Sequence, residues 1–120
     1  MLLYNRLDVA LDTVPLNSGT TAFDALWMGV PLVALEGDWG GGRMGSSTLR
    51  GLGRPEWIGR SENEYVAIAA ALARDVGGRK SLRKTQRALM AAGPLCDRGG
   101  VAGDLEEAFV GMFDDWAGRN

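Results

Sequence analysis

Asn17-Ser18-Gly19-Thr20-Thr21-Ala22-Phe23-Asp24-Ala25-Leu26-Trp27-Met28-Gly29-Val30-Pro31 reads as the junction between a strand and a helix. Before it, Asp8-Val9-Ala10-Leu11-Asp12 has the apolar character of a short buried strand, and after it Pro31-Leu32-Val33-Ala34-Leu35 has that character again. A loop and helix between two such strands make a βαβ unit, so the class is α/β with parallel strands. The spacing predicts a helix from Thr20 to Met28, stopped by Gly29 in the left-handed conformation and kept from continuing by Pro31.

A loop of small residues that leaves a strand and opens into a helix presents unpaired N–H groups and the positive end of the helix dipole, which makes an anion site. Thr20 and Thr21 stand where the helix begins, so their hydroxyls either cap its N–H groups or join them on a phosphate oxygen. Asp24, four residues after Thr20 and three after Thr21, shares their helix face. Side chains tilt toward a helix N-terminus, so its carboxylate leans back toward the loop, where two vicinal sugar hydroxyls could donate to it. An ordinary helix start, capped by Thr20 or Gly19 with Asp24 favoured by the dipole, accounts for the same residues. The residue types alone leave both readings open.

At 120 residues and 46% hydrophobic content, the chain is sized for one domain at most, with enough apolar material for a core. Thirteen basic residues against fifteen acidic ones leave a net charge of -2, which argues against a nucleic-acid partner. The run Arg79-Lys80-x-x-Arg83-Lys84-x-x-Arg87 has helical spacing and reads as a solvated face in preference to a phosphate or lipid patch. Cys96 has no second thiol and no histidine to activate it, and a chain without histidine lacks the usual zinc ligands, so no metal is expected. Met1-Leu2-Leu3-Tyr4-Asn5 is too short for a secretory signal, and no apolar run approaches a membrane span; no membrane partner and a cytoplasmic location are expected.

Further along, 56 to 58 reads as a third strand, and a helix is expected from near Arg43 to before Gly53. Gly37-Asp38-Trp39-Gly40-Gly41-Gly42 lies between, at the strand edge where ligands of open α/β sheets gather; without Walker spacing it reads as a flexible loop. Glu36 and Asp38 read as wet loop acids in preference to an acid–base pair. Ser61 and Glu64 form a capping box that opens a helix to about Val76, whose face Tyr65, Ile68, Ala69, Leu72 and Val76 should pack on the sheet. Gly77-Gly78 is expected to break the chain, a basic helix to follow to about Ala92, and Gly93-Pro94 to break it again. A last helix, near Val101 to Trp116, is expected to bury Leu105, Ala108, Phe109, Met112, Phe113 and Trp116 in core or domain packing. A doubly wound nucleotide domain carries about six strands. Half that number is visible, so the architecture expected is a Rossmann-like half-domain whose first strand has an open edge.

The motif Leu11-Asp12-Thr13, Asn17-x-Gly19-Thr20-Thr21-x-x-Asp24-Ala25-Leu26-Trp27-Met28-Gly29-Val30-Pro31-Leu32-Val33 resembles the donor-binding motif of the protein O-GlcNAc transferases and their SPINDLY-like relatives, glycosyltransferase family 41. The likeness continues through Gly37-Asp38, Arg43-Met44-Gly45-Ser46-Ser47, Leu52-Gly53, Pro55-Glu56-Trp57-Ile58, Tyr65, Ser81-Leu82-Arg83, Pro94-Leu95-Cys96-Asp97 and the stretch from Leu105-Glu106 to Trp116. Such enzymes carry a tetratricopeptide array followed by a two-domain GT-B glycosyltransferase. The resemblance implies that residues 1 to 120 are the C-terminal portion of the donor-binding domain. It implies nucleotide-sugar contacts at Gly19, Thr20, Thr21, Asp24 and Arg43, with the Thr pair on the diphosphate and Asp24 on the ribose. Many animal members carry His where this chain has Gly19, so any contact from that imidazole is absent.

The function implied is binding of UDP-N-acetylglucosamine, without a metal, in an enzyme that transfers the sugar to Ser or Thr of an acceptor protein. The acceptor would be held by regions upstream of this chain. Alone, the chain is expected to be inert and to associate with itself or another polypeptide through the open sheet edge. A non-catalytic nucleotide-binding or dimerising module is the rival from another class, and a GDP-fucose donor, as in SPINDLY-like proteins, the rival within the enzyme class.

Overall fold

The computed structural model describes residues 2 to 119; Met1 and Asn120 lie outside the described residues. Three parallel strands, β1 (Ala10–Leu11), β2 (Leu32–Leu35) and β3 (Ile58–Gly59), stand in the order β1-β2-β3. Ala10 pairs with Leu32 and Leu11 with Val33 on one side of β2, and Ala34 with Ile58 and Leu35 with Gly59 on the other. The backbone ladder reaches one residue further, through Asp12 N–H to the Val33 carbonyl (2.9 Å) and Glu36 N–H to the Gly59 carbonyl (2.9 Å). Five helices accompany the sheet: α1 (Thr20–Trp27), α2 (Met44–Gly51), α3 (Glu62–Arg74), α4 (Val76–Ala92) and α5 (Arg98–Gly118).

β2 is the centre of the fold. Leu32, Val33 and Ala34 are all buried, and since successive strand residues face opposite ways, both sides of the sheet are covered. Leu26 from α1, Leu49 and Leu52 from α2 and its end, Trp57 and Ile58 from the third strand region and Met90 from α4 complete the core, with Ile68 and Leu72 of α3 packed against it. The third strand falls at 58–59 where 56–58 was expected, because Pro55 opens a 3₁₀ turn over Pro55–Trp57. Ser61 caps α3 as expected, accepting from Glu64 N–H (3.2 Å), while the Glu64 carboxylate reaches the N–H of Arg60 (2.8 Å).

The helix C-terminus of α1 is closed by side chains from α4. Buried Gln86 donates to the Leu26 carbonyl (2.7 Å), Arg83 to Met28 (2.8 Å) and Arg87 to Trp27 (3.1 Å), so carbonyls that a helix end leaves orphaned are satisfied. Arg83 also reaches the carbonyls of Tyr4 and Leu7, and Arg79 those of Leu72 and Ala73. The basic run is therefore two faces: its arginines, spaced by four, donate to backbone carbonyls of neighbouring segments, Arg87 while itself exposed, and Lys80 and Lys84 are exposed. The expectation of a solvated face holds for Lys80, Lys84 and Arg87 and is corrected for Arg79 and Arg83. Gly77-Gly78 does not break the chain either. Asp75 caps α4 by accepting from Gly78 N–H (2.8 Å), which places both glycines in the first turn, and Val76, expected on the packed face of α3, is exposed.

The largest departure is α5. Leu105, Ala108, Phe109, Met112, Phe113 and Trp116, expected to be buried, are all exposed, Trp116 and Phe113 at 63%. The helix starts at Arg98 behind the Pro94–Cys96 turn and spans about 30 Å at helical rise, more than a three-stranded sheet can cover. None of the described helices is long and apolar enough to cross a membrane.

Candidate functional site

The site is built at the C-terminal end of β1. Asp12 is 3% exposed, and its Oδ1 accepts from the N–H of Thr13 (2.9 Å), the N–H of Ser18 (2.7 Å) and the hydroxyl of Ser18 (2.6 Å). One carboxylate oxygen thus folds residues 13 to 18 into a closed loop, within which the Val14–Pro15 peptide is cis. Among the described residues its Oδ2 meets no hydrogen-bond partner, and it lies against Gly45 in the first turn of α2, where any Cβ would collide with it. Burying an unpaired carboxylate oxygen is costly, and the positive end of α2 is what faces it here.

Three other segments hold the loop from outside. Asn17, 5% exposed, donates to the Thr13 carbonyl (2.9 Å) and accepts from Gly45 N–H (3.1 Å), while its own N–H donates to the Gly41 carbonyl (3.0 Å). The Trp39 indole N–H donates to the Pro15 carbonyl (3.2 Å). Tyr65, from α3, donates its hydroxyl to the Asp12 carbonyl (2.9 Å), and burial, followed by the Asp12 charge, holds its phenol above the ordinary range. The glycine run 40–42, read from sequence as a flexible loop, is a 3₁₀ turn closed by Gly37 N–H on the Gly42 carbonyl (2.8 Å).

The helix mouth itself is left open by all of this. Gly19 is the N-cap of α1 and supplies no side chain, and no side-chain cap replaces it. Thr20 and Thr21 are exposed and Asp24 is half-buried; among the described residues their hydroxyls and carboxylate meet no hydrogen-bond partner. Of the two ordinary helix starts, by Thr20 or by Gly19, the structure takes Gly19 as N-cap, and no Thr hydroxyl caps the helix. A Cβ on Gly19 would lie 3.5 Å from the Met44 side chain, which puts the start of α2 beside the mouth. Arg43, just before Met44, is exposed and donates its Nε–H to the Gly37 carbonyl (2.9 Å), which aligns it with the glycine turn.

An open cleft of about 780 Å³ runs along the free edge of β1, between the N-terminal segment and α1. Leu7, Val9, Leu11 and Ala25 give it an apolar wall, and Ser18 and Thr21 form its end at the helix mouth; Thr20 and Asp24 are outside its lining. The edge is the one expected to be open: among the described residues β1 pairs with β2 alone. Glu36 takes no part in the cleft. It is ion-paired with Arg50 (2.8 Å), and the Arg50 hydrogen bond above all holds its carboxyl below the ordinary range, the opposite of what a general acid needs.

The sequence reading placed ligand residues at the mouth but missed the brace of Asp12, Asn17, Trp39 and Tyr65 beneath it. Asp12 at a strand end and Tyr65 on an amphipathic helix carry no local signal of their contact, which spans 53 residues.

The family description Glycosyl transferase family 41 matches residues 5–100. Over 113 residues the chain is 39% identical to the probable UDP-N-acetylglucosamine–peptide N-acetylglucosaminyltransferase SPINDLY of Oryza sativa subsp. japonica, covering 94% of this chain and 12% of that protein. To the UDP-N-acetylglucosamine–peptide N-acetylglucosaminyltransferase of Caenorhabditis elegans it is 33% identical over 106 residues, 88% of this chain and 9% of that one. A solved structure of an O-GlcNAc transferase mutant from Thermobaculum terrenum superposes with a TM-score of 0.85 at 43% identity, over 95% of this chain and 22% of that one. The chain therefore spans about an eighth or less of the length of these curated relatives.

Proposed function

The chain belongs to glycosyl transferase family 41, and from that premise we propose that residues 1 to 120 form the C-terminal portion of the donor-binding domain of a protein O-linked N-acetylglucosaminyltransferase. The donor is UDP-N-acetylglucosamine. Its diphosphate lies at the N-terminus of α1 on the N–H groups and hydroxyls of Thr20 and Thr21, with Gly19 and Arg43 at the rim, and its ribose hydroxyls donate to Asp24. The observation that carries the reading is the braced loop that ends in a helix mouth with no side-chain cap, where Thr20, Thr21 and Asp24 have no side-chain hydrogen-bond partner among the described residues.

In the transfer, the bond between the sugar's anomeric carbon and the diphosphate oxygen breaks while a Ser or Thr oxygen of the acceptor protein bonds to that carbon. Negative charge gathers on the departing diphosphate. Fixed N–H groups at a helix N-terminus stabilise that charge without reorganising, which is the largest contribution a site of this kind makes. No metal enters this reading. The acceptor's proton goes to a base outside this chain, and the acceptor is held by segments such as repeats that precede it in the longer protein. The isolated chain is then inert. The free edge of β1 favours a second role, association with further strands or another copy.

The test is calorimetric titration of the chain with UDP, UDP-N-acetylglucosamine and GDP, beside Asp24→Ala and the double variant Thr20→Ala/Thr21→Ala. UDP and the sugar nucleotide should bind, and each variant should weaken binding about tenfold, the loss expected for hydrogen bonds to charged or sugar groups. GDP binding tighter than UDP would move the donor to a guanine nucleotide. Binding that ignores all three substitutions would remove the site from the helix mouth.

A further inference from the structure

We infer that Asn17 is a positioning residue that couples the glycine turn and α2 to the mouth of α1, so that the parts of the donor site move as one unit. This deepens the function proposed above and rests on it for its ligand arm alone. Asn17 stands two residues before the N-cap Gly19 and bonds three segments at once: the Thr13 carbonyl in its own loop, the Gly41 carbonyl in the glycine turn, and the Gly45 N–H in the first turn of α2. It is buried, so these bonds are shielded from competing water.

Each end of the coupling has its own second anchor. Ser18, the next residue, is held by Asp12 Oδ1 through both its N–H and its hydroxyl. The glycine turn is held by Gly37 N–H on Gly42, with Arg43 on the Gly37 carbonyl. The side chain of Asn17 joins the loop to α2, and its backbone N–H joins the loop to the glycine turn beside the Trp39 indole on Pro15. By fixing Gly45 the side chain also fixes the start of α2, from which Arg43 reaches back to the Gly37 carbonyl. The Asn17 amide suits the task because it offers a donor and an acceptor at the same time, which neither Asp nor a hydrophobic residue of that size does. Asn17 touches no proposed ligand atom; it acts through the placing of Gly19 to Thr21 and of Arg43.

Amide hydrogen exchange by NMR on the whole chain, in Asn17→Ala and Asn17→Asp, reads this directly. The informative amides are Ser18 and Gly37, whose acceptors, Asp12 and Gly42, are not Asn17. Both should exchange about tenfold faster in Asn17→Ala, while amides of α3 keep their protection. Asn17→Asp keeps the acceptor for Gly45 N–H but loses the donor to Thr13; it serves if the alanine variant does not fold, with the same two amides expected to loosen together. Ile58→Val, a core truncation away from the loops, controls for general loss of stability. In the ligand arm, Asn17→Ala should weaken UDP about tenfold and leave uridine unchanged, since only the anion contacts are misplaced.

Loosening of one of the two amides alone, or of neither, would overturn the coupling. So would equal weakening of UDP and uridine, or the same exchange pattern in Ile58→Val, because a merely structural role predicts those. Absence of UDP binding by the unsubstituted chain would count against the proposed function instead, and the exchange comparison would still decide the role of Asn17.

Discussion

Glu36 and Tyr65 show how single residues near the sheet edge are tuned for holding in place. The Glu36 carboxyl is held below its ordinary value chiefly by the Arg50 hydrogen bond, with Ser46 adding to it. A carboxyl with a depressed folded pKa contributes stability that is present above its unfolded pKa and is lost as pH falls through the folded value. Glu36→Gln should therefore lower the thermal midpoint modestly at neutral pH, because the pair is partly exposed and screened, and the difference from the parent should vanish below the folded pKa. Melts from pH 7 down to pH 3 check this; a gap that stays constant across the range would contradict it. Tyr65 has the opposite sign. Its raised pKa adds stability that is full below the ordinary tyrosine range and lost only in strong alkali, so its bond to the Asp12 carbonyl is intact at neutral pH. The placement of Thr20, Thr21 and Asp24 in the first turns of one helix was legible in the sequence, because their spacing is itself the signal. Asp12, Asn17 and Tyr65 were not, because their contacts cross the fold.

At the scale of elements, α1 is defined by how its two ends differ. Its N-terminus, with Gly19 as N-cap, carries no side-chain cap and stands open, while its C-terminus is closed by Gln86, Arg83 and Arg87 of α4 and by Gly29 at φ 74°. Gly29 has two reasons to be glycine: the positive φ, and the Arg83 Cα that would stand 2.7 Å from a Cβ. Gly53 has the first reason, φ 75°, without the second, since nothing lies within 4 Å of its Cβ position. Gly53→Ala should then cost about 1 kcal/mol, the left-handed penalty alone, and Gly29→Ala about 3 kcal/mol or more, since the α1–α4 contact must also part. Urea unfolding of the two variants measures the difference; equal costs would mean that α4 does not press on α1 as described. The stop at Gly29 and the α1 boundaries were readable from the sequence, as was the capping box of α3. The Gly77-Gly78 pair was misread because Asp75 offers a cap that turns a breaking dipeptide into a helix start.

For the molecule as a whole, the sheet and α5 set the terms. Three parallel strands, an apolar cleft beside the outer edge of β1, and a 21-residue helix with its apolar stripe exposed are what a part of a larger α/β domain presents. The parallel sheet could be read from the sequence because βαβ units announce themselves by period and punctuation. The fate of α5 could not, since its stripe of Leu105, Phe109, Met112 and Trp116 says that a surface is to be covered but not whether the covering surface lies in this chain. Phe109→Glu, at a position 64% exposed, should change the unfolding free energy by no more than about 0.5 kcal/mol, whereas Leu49→Ala in the core should cost about 2–5 kcal/mol. A large loss in Phe109→Glu, read by urea unfolding at several protein concentrations, would mean that the stripe is covered in solution. Above these expectations stands the claim that the mouth of α1 receives the diphosphate of a nucleotide sugar, and titration of UDP into the chain and into Thr20→Ala/Thr21→Ala tests it most directly. Saturable UDP binding that weakens about tenfold in the double variant is the predicted result. UDP bound equally well by both proteins would contradict it.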